Sequence, residues 1–154
     1  MKKMIMIVGF LLNVVGSTLF ANPDGDVNKF IQSAFKKQFP NAQYVKWTTI
    51  TDQDLYMVRF VHNDQALVAY MDENGDLLAT ARTALTTTLP LPVSNLLTRE
   101  YSRFEVIDAV ELVLHDELGY LVTVEGSRKR LTLMVYGNGT AREIKKEKIK
   151  PVNQ

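Results

Sequence analysis

The chain has 154 residues, 46% of them hydrophobic and 23% charged, with a net charge of +1 and no cysteine. A polypeptide of this size buries enough surface to fold without a metal or a disulfide. The lack of cysteine excludes a disulfide framework, thiolate metal sites, thiol catalysis and lipoprotein attachment through an N-terminal Cys.

The first element in chain order is a targeting segment. Lys2 and Lys3 precede an apolar run from Ile5 to Phe20, and after Ala21 the composition turns abruptly polar at Asn22-Pro23-Asp24-Gly25-Asp26. This is the tripartite pattern of a secretory signal peptide over residues 1–21. The run is shorter than the ~20 residues a membrane-spanning helix needs, so cleavage is expected and no stable span remains after it. The expected location is the periplasm or the exterior. Removing residues 1–21 takes away two lysines and no acid, which leaves 16 basic and 17 acidic residues and a net charge of −1.

Val27, Phe30, Ile31, Ala34 and Phe35 follow helical spacing, so residues 27–38 read as an amphipathic helix with Asp26 as N-cap and Pro40 as its stop. Alternating runs then predict strands near 43–50, 54–62, 65–72 and 76–83. Pro92, Val93, Leu96, Leu97 and Tyr101 announce a second helix, followed by strands near 107–115, 118–125, 129–136 and 140–148. Asn74-Gly75 and Asn138-Gly139 are expected to form type I′ hairpin turns, in which both central residues take positive φ.

The two halves resemble each other. Tyr56-x-Val58-x-Phe60 recurs as Tyr120-x-Val122-x-Val124, Leu67-x-Ala69-x-Met71 as Leu131-x-Leu133-x-Val135, and Asn74-Gly75 as Asn138-Gly139, all 64 residues later. Val45 and Trp47 align with Val110 and Leu112. An internal repeat of this period predicts two copies of one supersecondary unit. The expected fold is α+β, a tandem repeat of one helix plus a four-stranded antiparallel sheet with the helices on one face. Its two repeats occupy residues 22–90 and 91–154 of one compact domain.

Positions apolar in both halves mark the expected buried face: Val45 with Val110, Trp47 with Leu112, Val58 with Val122, Phe60 with Val124, Leu67 with Leu131, and Met71 with Val135. The opposite face is expected to stay open. It carries Tyr44, Lys46, Met57, Arg59, Val61, Val68 and Tyr70 in the first half, and Glu111, Leu121, Thr123, Arg130, Thr132, Met134 and Tyr136 in the second. A face mixing Tyr, Met, Arg and short aliphatics has the composition of a protein-recognition surface, although a second buried layer or a homodimer contact would use the same residues. Tyr44, Met57, Arg59, Val68, Tyr70, Arg130, Met134 and Tyr136 are the candidate partner-binding residues.

Charge is unevenly distributed. Residues 126–154 carry Arg128, Lys129, Arg130, Arg142, Lys145, Lys146, Lys148 and Lys150 against Glu143 and Glu147, a net +6, which leaves −7 on residues 22–125. Such asymmetry can steer the basic end toward an anionic partner, but lysines also guard exposed sheet edges, and the latter reading is preferred. No aromatic residue interleaves the basic run over 142–150, as a nucleic-acid track would require, so no nucleic-acid partner is expected.

In the first half, Ala34-Phe35-x-x-x-Phe39-Pro40-x-Ala42-x-x-Val45-x-Trp47, then Tyr56-x-Val58-x-Phe60, the Asp72-x-x-Gly75 turn before Leu77-Leu78, and Leu89-Pro90 form a recognisable set. The chain resembles the secreted bacterial PepSY-like proteins, whose fold is likened to beta-lactamase inhibitory protein. The second half departs from the pattern, with Phe104-Glu105 where the Phe-Pro pair would fall and no Trp. The resemblance implies a tandem helix-plus-sheet fold in the cell envelope, with an open concave sheet face of the kind by which the namesake inhibitor grips an enzyme. It does not imply inhibition of a beta-lactamase, because likeness of fold does not transfer function.

No catalytic constellation emerges. His62 and His115 stand far apart in sequence without a second ligand at metal-binding spacing, no serine sits in a G-x-S-x-G elbow, and no phosphate loop exists among the eight glycines. Asp72-Glu73-Asn74-Gly75-Asp76 hints at a calcium loop, but Thr83 stands where an EF-hand needs Glu, so a turn is preferred. The expectation is an exported, non-enzymatic binding module without a cofactor. Its partner would be an envelope or secreted protein or peptide, possible inhibition included. The alternative is an envelope sensor of a small ligand or ion, using the acidic turns and the basic C-terminal strand.

Overall fold

The computed structural model describes residues 27–50 and 54–149. The targeting segment 1–21 and the expected cap at Asp26 lie outside the described residues. Two helices and eight strands follow in order: α1 (Lys29–Gln38), β1 (Gln43–Ile50), β2 (Leu55–His62), β3 (Gln65–Asp72), β4 (Leu77–Thr83), α2 (Leu91–Glu100), β5 (Glu105–Leu114), β6 (Glu117–Glu125), β7 (Lys129–Tyr136) and β8 (Ala141–Lys148). A short 3-10 turn, Thr86–Thr88, precedes α2.

The strands form one eight-stranded sheet in the order β1-β2-β3-β4-β5-β6-β7-β8. This corrects the expected tandem repeat of one helix plus a four-stranded antiparallel sheet. Alternation identifies strands and their faces but cannot say where a sheet ends. Two separate sheets would expose four edges, each a row of unpaired backbone donors and acceptors, and one continuous sheet exposes two. By compactness the chain divides into a unit ending at Thr80 and a unit beginning at Ala81, within β4.

In the first unit, Asn28 caps α1, its side-chain oxygen accepting from the Phe30 N–H at 2.9 Å. Lys36 and Lys37 occupy the last turn, where cations suit the helix dipole. At the far end the Phe39 N–H donates to Phe35 O at 2.8 Å, and Pro40 follows. The buried stripe Val27, Ile31 and Phe35 packs on Val58, Phe60, Ala69 and Met71, with Trp47, Leu67 and Leu77 at the margin. In the second unit, Val93, Leu96 and Leu97 of α2 pack on Tyr120, Val122, Val124, Leu131, Leu133 and Val135.

The turns divide differently from expectation. The pairs with positive φ at both central residues are Asn63-Asp64 (49° and 60°) and His115-Asp116 (48° and 65°), so these are the tight two-residue hairpins. In the two Asn-Gly turns only the glycine is left-handed, Gly75 at 77° and Gly139 at 78°. The reason lies in Asp72. Its Oδ1 accepts from the backbone N–H of Asn74 at 2.9 Å and of Asp76 at 3.0 Å, which holds a longer side-chain-stabilised turn. Asn138 Oδ1 does the same for the Thr140 N–H at 3.0 Å.

Gly75 is also a packing requirement, because a Cβ there would lie 2.9 Å from Ala34 Cβ and 3.2 Å from Phe30 Cε1 on α1. Gly75→Ala is therefore expected to cost about 2–3 kcal/mol, combining ~1–2 kcal/mol for a left-handed side-chain-bearing residue with the displacement of α1. Gly137→Ala is the control. Gly137 is not left-handed, its nearest neighbour lies at 4.0 Å, and its cost should stay within ~0.5 kcal/mol in urea denaturation.

Candidate functional site

Strand register determines which of the candidate residues share a face. In the first unit, Lys46 opposes Arg59 and Arg59 opposes Val68, while Met57 opposes Tyr70 in the next row. All lie on the side opposite Val58, Phe60, Ala69 and Met71, which face α1. Two like charges, Lys46 and Arg59, thus stand directly across from each other, and among the described residues neither has an ion-pair partner. Tyr44 lies in the irregularity of β1 between Gln43 and Lys46. Its φ is +53°, and the residue is 79% exposed. Val45 beside it is exposed too, which corrects its assignment to the core: the bulge rotates it out of the strand's alternation.

In the second unit, Leu121 opposes Met134 and Met134 opposes Arg142, Thr123 opposes Thr132, Glu125 opposes Arg130, and Gly119 opposes Tyr136. Arg130 is engaged by Glu125, with Nε donating to Oε2 at 2.8 Å. Val110 and Leu112 join this side, because they pair with Leu121 and Gly119. Glu111 moves to the α2 side, opposite Tyr120. The cause is the bulge between Val106 and Asp108, which resets the alternation of β5 and leaves Ile107 exposed.

The second face is not bare. Arg59 is exposed, and Val68, Arg130 and Tyr136 are half-buried. Met57, Tyr70 and Met134, with Leu121 and Thr132, are buried. Alternation assigns a side chain to a face without saying whether solvent reaches it. Met57 and Tyr70 are directly opposed, as are Leu121 and Met134, so each lies against another large side chain. Burial raises the pKa of the Tyr70 phenol, with the Arg59 guanidinium pulling it the other way. The face therefore has an apolar floor and an accessible margin, and the margin is what another molecule can touch.

On the α2 side, Glu111 is held by Arg82 in a two-pronged contact, Nε to Oε1 at 2.8 Å and Nη2 to Oε2 at 3.0 Å, and it accepts from the Tyr120 hydroxyl at 3.3 Å. The Tyr120 pKa is raised by burial and further by the Glu111 charge. A carboxylate so engaged ties the end of β4 to β5. His62 packs edge-on against Phe39 at 5.7 Å, and His115 sits in its two-residue turn. Among the described residues, no group of three or more His, Cys, Asp or Glu is placed to hold a metal ion, and no helix is long and apolar enough to cross a membrane.

By sequence Tyr44 is one of several residues expected on the open face. Its position on a strained bulge has no sequence signal, because Tyr44, Val45, Lys46 and Trp47 alternate as an ordinary strand would. Ile107 has one: the adjacent pair Val106-Ile107 breaks alternation where the bulge occurs.

A single antiparallel meander carrying one helix-packed core per unit is an α+β scaffold. No protein-family model matches the chain, and no curated protein does. Solved structures do match. The chain is similar to a BLIP-like protein from Bacteroides fragilis NCTC 9343, with 24% identity, a TM-score of 0.67, and coverage of 82% of this chain and 89% of that one. It is similar to a DUF2874 family protein from Bacteroides uniformis ATCC 8492, with 18% identity, a TM-score of 0.67, and coverage of 79% and 89%. A protein from Bacteroides eggerthii DSM 20697 proposed to be periplasmic matches with 16% identity, a TM-score of 0.67, and coverage of 81% and 91%. The fold is BLIP-like. The PepSY-like part of the resemblance rests on the motif residues alone.

Proposed function

We propose that the mature chain is an exported, non-catalytic module that binds an envelope or secreted protein or peptide along the margin of its second sheet face. The observation that carries this reading is Tyr44, an aromatic side chain held in solvent by a left-handed backbone, beside Val68 and the Lys46–Arg59 row, which has no ion-pair partner among the described residues. Non-glycine residues in that conformation cost of order 1–3 kcal/mol and concentrate at functional sites. Exposed Tyr and Arg are also the residue types that dominate binding energy at interfaces. Export is supported by the charged and apolar leader over residues 1–21 and by the periplasmic proposal made for a protein of the same fold. An enzyme as partner, let alone a beta-lactamase, does not follow from a BLIP-like fold.

The test is site-specific photocrosslinking in the native cell, with p-benzoylphenylalanine at position 44, 59 or 68 and, as control, at exposed Lys36 on α1. A discrete adduct is expected from the three face positions and not from position 36. Once the adduct is identified, Tyr44→Ala with Arg59→Ala should weaken its binding at least tenfold at unchanged melting temperature. Absence of any adduct, or the same adduct from position 36, would rule the surface out.

A further inference from the structure

The second unit carries a basic corner on its α2 side, and this inference does not depend on the binding margin described above. Lys129 opposes Lys148 directly across β7 and β8, and Lys146 opposes Leu131 on the same face. Lys129 Nζ stands 5.1 Å from the centroid of the Phe104 ring, which fixes the face. Phe104 and the Arg103 carbonyl lie against Gly126 in the β6–β7 connection, where a Cβ would meet them at 3.1 and 3.7 Å. The Ile149 N–H donates to Arg128 O at 3.1 Å, which brings Arg128 to the end of β8. Arg103, Arg128, Lys129, Lys146 and Lys148 thus gather at one end of the strands, all except half-buried Lys129 being exposed. Among the described residues, the ion pairs Arg82–Glu111, Arg99–Glu100, Arg130–Glu125 and Lys145–Glu147 engage none of the five.

Like charges directly opposed across strands are destabilising, so the Lys129–Lys148 pair is a cost to the fold. Guarding a sheet edge does not account for it. Lys146 and Lys148 lie on the terminal strand β8, but Arg103, Arg128 and Lys129 do not. Cations spread over a corner suit a plane of phosphodiester headgroups, since clusters of four to eight Lys and Arg are what anionic bilayers attract.

From this placement we infer that the corner formed by Arg103, Arg128, Lys129, Lys146 and Lys148 docks the protein on an anionic phospholipid surface. The experiment is co-sedimentation of the full chain, as secreted, with vesicles of equal parts phosphatidylglycerol and phosphatidylcholine, at roughly 50 mM salt to limit screening. Binding is expected to fall steeply with added salt and to vanish on pure phosphatidylcholine. Each neutralised cation should lower partitioning about fivefold. Lys129→Gln with Lys148→Gln should therefore lose about 25-fold, as should Lys146→Gln with Lys148→Gln, which leaves the Lys129–Phe104 contact intact. Arg142→Gln with Lys145→Gln, on the opposite face, should lose no more than about threefold. No binding to the anionic vesicles, equal binding to neutral ones, or undiminished binding by both corner variants would overturn the inference. So would capture of polyglutamate without capture of vesicles, which would assign the corner to an acidic polypeptide instead.

Discussion

Tyr70→Ala is expected to destabilise the protein by about 3–5 kcal/mol, a size typical of removing a large buried aromatic side chain. Tyr70 lies on the second face, where composition alone expects a contact residue dispensable for folding, yet its side chain is fully buried opposite Met57. Arg59, diagonal to it and exposed, is the contrast: Arg59→Ala should change stability by less than about 1 kcal/mol. Urea midpoints separate the two, and a Tyr70→Ala protein as stable as the parent would show that the second face has no floor. A pH readout checks the same point. Burial raises the Tyr70 pKa above its ordinary value of 10.0. The folded state therefore holds the phenolic proton more tightly than the unfolded chain does. Its contribution to stability is fully present below pH ~10 and is lost as pH rises above that value. Tyr70→Phe, which has no proton to lose, should flatten that alkaline decline.

Much of the architecture is legible in the sequence, because both helices and all eight strands obey period rules that burial enforces. The stripe Val27, Ile31 and Phe35 has to face something apolar, and Val58, Phe60 and Met71 alternate to meet it. Where the reading fails, the cause is a feature with no period. Matching Val110 and Leu112 to Val45 and Trp47 assumed uninterrupted alternation in β5, and one extra residue at Ile107 sends them to the opposite face. The bulge at Tyr44 does the same to Val45. The Asn-Gly dipeptides point to two-residue turns, but Asp72 outcompetes that geometry by binding two backbone N–H groups, and the two-residue turns form at Asn63-Asp64 and His115-Asp116. Joining eight strands into one sheet depends on the edges of β4 and β5, whose alternation is indifferent to their neighbours. The candidate site suffers most. Residue type and face were readable for Met57, Tyr70 and Met134, but exposure depends on cross-strand partners that only the register identifies.

Phe35→Ala should be comparably damaging, for a reason that lies in ring geometry as well as volume. Phe35 is buried on α1, with its ring 4.9 Å from Phe60 at 86°, 5.3 Å from Trp47 at 75° and 5.2 Å from Phe39. Edge-to-face pairs contribute about 0.5–1.5 kcal/mol each beyond the area they bury, and deleting the central ring forfeits both such pairs with the cavity cost added. A loss of about 4–5 kcal/mol is expected. Phe35→Leu keeps most of the volume and surrenders the aromatic contacts, so it should lose about 1–2 kcal/mol. Trp47 is the chain's single tryptophan and touches the substituted ring, which makes its fluorescence a local reporter beside the global urea midpoint. In Phe35→Ala the emission should shift red under native conditions, before the main transition, as the packing around the indole loosens. If emission and midpoint both stay near the parent's, α1 is not what closes this core. Domains of this kind hold only about 5–15 kcal/mol in total, so the expected loss is a large share of the whole. That share follows from where Phe35 sits, at the one point where α1, β1 and β2 converge on a single ring.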